Sequence, residues 1–598
     1  MLTRTPPTAA VTIATPTAPP HWALLERELM RAIEAAIPPF YDRYFDERGY
    51  LKCFARWGAL DGPDDAAENV TNWTDFYALG GSERVLALYR RGIEGHIRQY
   101  TEARTTVTKL GADGMYYKEF PTSFDWVHNG EGYHCLFQEG LCEPWNLTWR
   151  QRVCRFAGFY LPGDPDEPAE PNYDPKHRII RSVLNGSRGP VLGKVEPVDW
   201  AGDPFEIEGR FKPGRGHRNF DDYLFHYETY RDVEGDIPLN LAATVMAFYA
   251  YAATGEAKYR EWIQEYSDGW IERTHQNDGL IPGNVGLDGK IGSGAAGDGA
   301  WWRGVYGWGH TGGFYGLDEH GKPIPHHRPN FQGRTPYAFG NALLVSGDRK
   351  YVDVWRTVME SVNKNSKVGD GVTLYPRMYN QDGWYDFQPE PFDRGALAVY
   401  VWSQDRERDH ALVASDPWVR FLDGENDGYP VEKLQADLEE VRRKVELRAQ
   451  DTRPADMLLS EDPNGINPAV VWGLVQLMLG GLPTRHVGVP WHCAVRYFDA
   501  ERRRAGIPPG VASLVDHMSA DEVGVQLVNL DPVHAKNLVL QSGAFAEHTI
   551  ESVAVDGERT EVGNSALHVR LEPGAGARLL LRVGRFVNQP TVAFPWPT

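Results

Sequence analysis

The chain has 598 residues and a formal net charge of −20 at pH 7. It is too long for one ordinary domain, and its acidity disfavours nucleic acid or an anionic membrane as a partner. The five cysteines form no CxxC pair, so neither a disulfide framework nor a zinc site is expected. No phosphate-binding loop, nucleophile elbow or HExxH zinc helix occurs, and we predict no cofactor and no metal.

The first twenty residues are rich in Thr, Pro and Ala, and we expect a disordered tail over 1–20. This stretch lacks the long apolar core of a secretion signal, and the cysteine pattern fits a reducing compartment, so we expect a cytoplasmic protein. The sequence does not predict an oligomeric state.

Helical periodicity begins at about Trp22 and runs first to about Ile37. It returns over 82–102, 133–160, 237–253, 256–273, 334–345, 348–364, 431–449 and 467–480. Long loops rich in Gly, Pro, Asp and aromatic residues separate these segments, at 111–132, 161–235, 277–333 and 365–395. Loops of that length are usually functional or carry short strands.

One short phrase recurs after apolar runs. It reads Gly80-Gly81-Ser82-Glu83-Arg84, then Thr254-Gly255-Glu256-Ala257-Lys258-Tyr259, then Ser346-Gly347-Asp348-Arg349-Lys350-Tyr351. In each copy a glycine can end one helix in the left-handed conformation, and polar residues then begin the next helix. The phrase therefore predicts a helical hairpin with a tight turn, repeated along the chain as in stacked or circular arrays.

The pattern changes after about Pro490. Alternating apolar residues predict strands over Val523–Leu530, Asn537–Gln541, Thr549–Val555, Ala566–Leu571 and Ala577–Val583. Three regions follow: the tail 1–20, a helical domain 21–490, and a small antiparallel β-sandwich domain 491–598.

Repeated helical hairpins followed by a β domain resemble the α/α-toroid, or six-hairpin, carbohydrate-active enzymes. These include glycoside hydrolases and polysaccharide lyases. The resemblance implies a mainly α fold, an (α/α)-toroid with a C-terminal β-sandwich. It also implies acid–base chemistry at the mouth of the ring, on residues of the hairpin loops and helix starts.

The densest group of chemically active residues lies just before the predicted helix at 133. It contains Asp125, Trp126, His128, Asn129, Glu131 and His134. Glycines flank Glu131, so the backbone can bend there before the helix begins, and burial against aromatic rings would favour the protonated acid. The alternative is structural, with a carboxylate as a helix cap and His134 as a satisfied core histidine.

Asp236 precedes Ile237, Pro238 and an Ala-rich helix. It is either the N-cap of that helix, with the proline in the first turn, or a catalytic carboxylate at the ring mouth, and both roles can coexist.

A third segment places glycines between large aromatic rings. Its candidate residues are Trp302, Arg303, Tyr306, Trp308 and His310. Arg303 can hold a carboxylate in a bidentate fashion, and Tyr306 or His310 can act as base or acid. The segment loosely looks like loops of toroid enzymes that act on unsaturated uronides. Trp73 and Asp75, at the start of the first hairpin, are weaker candidates for substrate binding.

The leading hypothesis is a glycoside hydrolase that cleaves an oligosaccharide containing a uronic acid. Glu131 or Asp125 would be the acid and Asp236 its partner. The first alternative is a lyase in which Tyr306 or His310 removes a proton beside a uronate held by Arg303 or Asn129. The second is a sugar-binding protein without catalysis. The expected partner is an oligosaccharide in every case.

Overall fold

A computed structural model describes residues 4–53, 63–102, 116–121, 126–182, 185–186, 189–190, 235–282, 285–291, 293, 335–380, 383–482 and 489–596. Its α-helices are α1 (His21–Tyr44), α2 (Pro63–Ala67), α3 (Trp73–Leu79), α4 (Glu83–Glu102), α5 (Trp126–Cys142), α6 (Leu147–Gly158), α7 (Thr244–Thr254), α8 (Ala257–Gln276), α9 (Thr335–Ser346), α10 (Lys350–Asn363), α11 (Ala396–Ser403), α12 (Arg406–Asp409), α13 (Pro417–Leu422), α14 (Tyr429–Gln450) and α15 (Trp472–Leu479). A 3-10 helix, Pro238–Ala243, leads into α7.

Six helices are buried around almost their whole circumference, and we call them the inner helices. They are α3, α5, α7, α9, α11 and α15. Helices that are apolar on all sides belong in the centre of a fold. Each inner helix is paired in sequence with a helix that keeps an exposed face: α4, α6, α8, α10, α13 and α14 respectively. The predicted repeat of helical hairpins is thus confirmed.

The hairpins form a closed ring. Neighbouring inner helices contact one another from α3 through α5, α7 and α9 to α11, and α14 contacts both α15 and α1. The two ends of the helical region meet where Trp73 Nε1 donates a hydrogen bond to Asn467 Oδ1 at 3.0 Å. The Asn467 amide donates in turn to Thr71 O at 3.1 Å. The ring therefore closes between segments that are almost four hundred residues apart in sequence.

The C-terminal region holds two five-stranded sheets. Their strands are β11 (Val495–Asp499), β12 (Arg504–Ala505), β13 (Val511–Met518), β14 (Glu522–Asn529), β15 (Lys536–Ser542), β16 (Thr549–Val555), β17 (Glu558–Asn564), β18 (Ala566–Leu571) and β19 (Gly576–Gly584), together with the N-terminal β1 (Ala10–Ile13). The orders are β1-β18-β15-β11-β12 and β13-β14-β19-β16-β17. All five predicted strands are present, and the predicted fold class is confirmed.

Strand β1 departs from the predicted disordered tail over 1–20. It pairs in parallel with β18, with Val11 beside Val569, and Ile13 is 1% exposed. Arg4 also donates to Ser565 Oγ at 2.8 Å. The composition of this segment is typical of a linker. It is ordered because the free edge of the sheet at β18 supplies backbone hydrogen bonds, which the sequence of the segment alone cannot indicate.

The β domain covers the end of the ring at which every inner helix terminates. Its backbone or side chains donate to carbonyls of Leu79, Leu141, Ala252, Val401 and Leu479 at the ends of α3, α5, α7, α11 and α15. At the end of α9, Gly347 lies against Phe586 O, with φ of 68°. The inner helices consequently run in one direction, and all begin at the opposite end, which we call the mouth.

The small strands lie mainly in the connections between hairpins. They are β2 (Tyr116–Tyr117), β3 (Phe120–Pro121), β4 (Tyr173–Asp174), β5 (Ile179–Ile180), β6 (Asn185–Gly186), β7 (Gly189–Pro190), β8 (Lys367–Gly369), β9 (Val372–Asn380) and β10 (Gly383–Gln388). Strands β8 to β10 form one sheet inside the predicted loop 365–395. Over the described ranges, the helices include none with the length and hydropathy needed to cross a bilayer.

Candidate functional site

The mouth is the end of the ring at which the inner helices begin. Several predicted site residues fall outside the described part of the chain: Asp125, Trp302, Arg303, Tyr306, Trp308 and His310, with the side chain of His128. Their roles stay predictions. The described candidates are distributed over α3, α5 and the segment before the 3-10 helix.

Helix α5 begins at Trp126, earlier than predicted, so Glu131 lies in its second turn and not before its start. The glycine after it serves packing: a Cβ at Gly132 would lie 2.9 Å from the Cα of Asp64 in α2. Close contact between the two helices at this point explains why a glycine pair, which reads as a helix breaker, occurs inside a helix. The predicted sharp bend at Glu131 is therefore wrong.

One face of α5 packs outward on α6. Trp149 of α6 donates from Nε1 to Leu136 O at 2.9 Å, and its ring lies against Gly140. Tyr133 on the same face contacts Phe156 of α6. Since residues three or four apart share a helix face, Asn129 belongs to this outward face, where it is 2% exposed.

The opposite face of α5 carries three polar residues at helical spacing, Glu131, His134 and Gln138. We call them the lumen stripe, because this face is turned from the outer helix α6 toward the inside of the ring. Glu131, nearest the mouth, is partly exposed, whereas His134 and Gln138 are 0% and 1% exposed. Gln138 was not predicted; its signal was its position four residues after His134.

His134 forms a pair with Asp75 of α3. The imidazole Nε2 and Asp75 Oδ2 are 3.0 Å apart, and Asp75 is 1% exposed. A buried carboxylate beside an imidazole fixes the orientation of the ring. The sequence proposed both residues as substrate contacts, and the structure brings them together across 59 positions of sequence.

The lumen stripe ends in a floor at its deepest residue. Gln138 Oε1 accepts a hydrogen bond from the Tyr249 hydroxyl of α7 at 2.7 Å, and its amide donates to Val489 O at 3.1 Å. Val489 belongs to the connection that leads into the β domain. From Glu131 to this floor the helix rises about 10 Å at 1.5 Å per residue.

Trp73 and Trp126 are core residues. Trp73 is 0% exposed and bonded to Asn467, and Trp126 is 1% exposed with its ring against Phe120 and Tyr160. An indole that stacks on a sugar must expose a face. Neither ring does so, and the predicted substrate-binding role of these two tryptophans has no support in their surroundings.

Asp236 connects three segments at the mouth, and we call this arrangement the Asp236 hub. Its Oδ2 accepts from Ile180 N at 3.0 Å, and its Oδ1 accepts from Asn240 Nδ2 and Ile237 N, both at 2.9 Å. The Tyr266 hydroxyl of α8 lies 3.0 Å from both oxygens. The backbone of Asp236 also pairs with Val285.

A role in the Asp236 hub accounts for the contacts of Asp236 better than a role as a helix cap does. The N-cap residue of the 3-10 helix is Ile237, without a side-chain cap, and Asp236 is 0% exposed. Burial raises the pKa of Asp236 to about 7, although the surrounding donors favour the anion. Because donors engage both of its oxygens, the Asp236 carboxylate joins the chain segments that meet at the mouth. It has no free oxygen that could take a proton from a substrate.

All five cysteines lie in the described ranges, and all are free thiols. Groups of three or more His, Cys, Asp or Glu residues suited to a metal ion are absent from the portion that the structure describes.

The sequence over residues 10–416 matches a family described as a domain of unknown function, DUF8034. The chain belongs to this family. A comparison with curated proteins found no match.

Solved structures with similar chains are carbohydrate-active proteins. One is an inactive variant of an α-1,6-mannanase from Salegentibacter in complex with α-1,6-mannotetrose, at TM-score 0.30 and 12% identity, covering 75% of this chain and 99% of that one. A mannosidase of glycoside hydrolase family 76 from Bacteroides thetaiotaomicron has TM-score 0.30 and 11% identity, with coverages of 76% and 99%. A cellobiose 2-epimerase from Bacillus thermoamylovorans has TM-score 0.36 and 10% identity, with coverages of 67% and 88%.

Proposed function

We propose that the protein cleaves a glycosidic bond in an oligosaccharide at the mouth of the ring, with Glu131 as the proton donor. The supporting observation is the lumen stripe of α5. Among the described candidate carboxylates, Asp75 and Asp236 are 1% and 0% exposed, and Glu131 alone is partly open. A general acid has to reach the leaving-group oxygen, and this requirement favours Glu131.

The second group in this proposal is the Asp75–His134 pair. Both side chains are buried in the structure, so this role requires the lumen to open beside His134 when substrate binds. The pair lies one helical turn below Glu131 on the same face of α5, and the buried carboxylate orients the imidazole. Hydrolysis needs one group that protonates the leaving oxygen and one that removes a proton from water. Asp236, the partner expected from the sequence, is replaced in this role because its oxygens are engaged in the Asp236 hub.

The change Glu131→Gln tests the assignment, since it keeps the shape and removes the proton. Activity is measured as released reducing ends on manno-, gluco- and uronide oligosaccharides. We expect kcat to fall roughly 10²–10⁴-fold with KM little changed, as for loss of a general acid. Glu139→Gln on the same helix is the matched control, because Glu139 bonds Asn146 and Tyr89 on another face. Equal activity of both variants would contradict the role of Glu131.

A second candidate function is proton abstraction at a sugar carbon, as in a lyase or an epimerase. The Asp75–His134 pair favours it, because Asp75 holds the imidazole in a fixed orientation, and an oriented imidazole is a suitable group for proton abstraction. Reaction in D₂O separates the two: a lyase creates ultraviolet absorbance, an epimerase incorporates deuterium at carbon, and a hydrolase does neither. The uronic acid in the substrate and the cytoplasmic location stay predictions, the former because Arg303 lies outside the described residues.

A further inference from the structure

A small cavity lies where the C-terminal end of α11 meets the β domain, at the end of the ring opposite the mouth. The residues around it come from several segments: Trp402 lies in the last turn of α11, His492 precedes β11, Glu547 and His548 precede β16, and Arg585 follows β19. The space is sufficient for one water molecule. The residues of this cavity have no role in the reaction proposed at the mouth.

Two residues of this cavity wall each carry a buried polar atom without a hydrogen-bond partner, His492 Nε2 and Arg585 Nε. His492 is 5% exposed. The remainder of the Arg585 guanidinium is engaged, since Nη2 donates to Val401 O at 2.8 Å and to Trp402 O at 3.3 Å. Leaving a buried polar atom unsatisfied is unfavourable, so two such atoms on residues of one cavity indicate a shared partner.

The protonation of His548 follows from its backbone contact. Its Nδ1 accepts a hydrogen bond from Phe586 N at 2.9 Å, so the neutral ring carries its proton on Nε2. This Nε2 is 3.8 Å from Glu547 Oε1, which is too far for a direct hydrogen bond. A donor and an acceptor at that separation can both bond to a small molecule beside them.

The charges around the cavity restrict what that molecule can be. The N–H groups of Arg585 and His548 disfavour a cation, and the Glu547 carboxylate disfavours an anion. Burial lowers the pKa of His492 to about 3, with a further contribution from Arg585, so its ring is neutral and can accept or donate. The partner must therefore both donate and accept, in a space of one solvent molecule.

We propose that the cavity binds a single water molecule that joins the ring to the β domain through His492, Glu547, His548 and Arg585. It accepts from Arg585 Nε and His548 Nε2 and donates to Glu547. The fourth bond is to His492. Because Arg585 also caps the carbonyls at the end of α11, the water connects that cap to the start of β16 and fixes this corner of the junction.

A crystal structure of the full chain at high resolution tests the proposal, with two further crystals soaked in bromide or rubidium. We expect one solvent peak at about 2.6–3.2 Å from at least three of the four polar atoms, and no anomalous signal there in either soak. A bromide or rubidium peak would identify an ion site, and absence of any peak would mean a dry cavity. Both outcomes overturn the proposal.

The variant His492→Phe tests whether the water depends on the polar ring of His492 or only on how the cavity is packed. It retains a ring against Trp402, whose centroid is 5.1 Å from that of His492, but it removes one polar partner. We expect loss of the solvent peak or of its fourth contact, with the fold unchanged in the same crystals. Met518→Leu, an apolar change in the same wall, should keep the peak. An unchanged, fully bonded peak in His492→Phe would contradict the assigned partners.

Discussion

Removal of the Tyr266 hydroxyl tests whether the Asp236 hub holds the mouth segments together. This hydroxyl lies 3.0 Å from both oxygens of a carboxylate that is 0% exposed. A hydrogen bond to a charged group contributes about 1.5–3 kcal/mol. At a pH well above the pKa of Asp236, where the carboxylate is charged, local opening at the hub in Tyr266→Phe should therefore become about 10- to 150-fold more frequent.

Hydrogen–deuterium exchange with mass spectrometry measures this directly. The amides of Ile180 and Ile237 donate to Asp236, so peptides that contain them should exchange faster. Tyr351→Phe is the matched control, because its hydroxyl bonds Asp268, whose side chain is 33% exposed. Solvent can replace that bond, and we expect little change at the hub. Exchange of the two amides within threefold of wild type in Tyr266→Phe would refute the hub.

The effect should depend on pH with a defined sign. Burial raises the pKa of Asp236 to about 7, above its ordinary value. Between these values the folded protein keeps a proton that the unfolded chain has released, so this group's contribution to the free energy of unfolding falls as pH rises, by about 1.4 kcal/mol per unit. At pH 5 the acid is neutral, and the loss in Tyr266→Phe should drop to about 0.5–1.5 kcal/mol. Asp236→Asn should abolish this pH dependence.

Three further outcomes follow from contacts described above. Gly132→Ala should lower the thermal midpoint, at a cost of about 1–3 kcal/mol for overpacking, because the added Cβ meets the backbone of Asp64. Gly465→Ala, with nothing near its Cβ, is the control. Equal midpoints for the two variants would contradict the contact between α5 and α2. Deletion of residues 4–14 removes β1, and calorimetry should show a less stable β domain with unchanged helix content by circular dichroism; an unaltered β-domain transition would mean that β1 contributes nothing. Asp75→Asn should lower kcat about 10²-fold or more if the pair transfers protons, whereas a change confined to stability would indicate a structural pair.

Most of the features that could be predicted from the sequence have a local signal, such as a glycine at a helix end or the alternation of a strand. Helix ends at Gly255 and Gly347, both in the left-handed conformation, follow from the lack of a Cβ and need no tertiary information. Alternation likewise located β14, β15, β16, β18 and β19, because a half-buried strand shows its period directly.

Contacts between distant segments could not be predicted in the same way. The start of α5 was missed because Gly132 is required by packing on α2, which the local sequence does not show. Strand β1 was missed because its partner β18 is at the other end of the chain. Asp75 and His134 were both proposed as site residues, but their pairing depends on how α3 and α5 pack.

The position of the β domain also has a kinetic consequence. It covers the C-terminal ends of all six inner helices, and the lumen stripe stops at a floor formed with Val489. A ligand that enters the ring consequently has to leave by the way it came. Incoming and outgoing molecules would then share one passage, so a molecule still bound in the ring would exclude the next one.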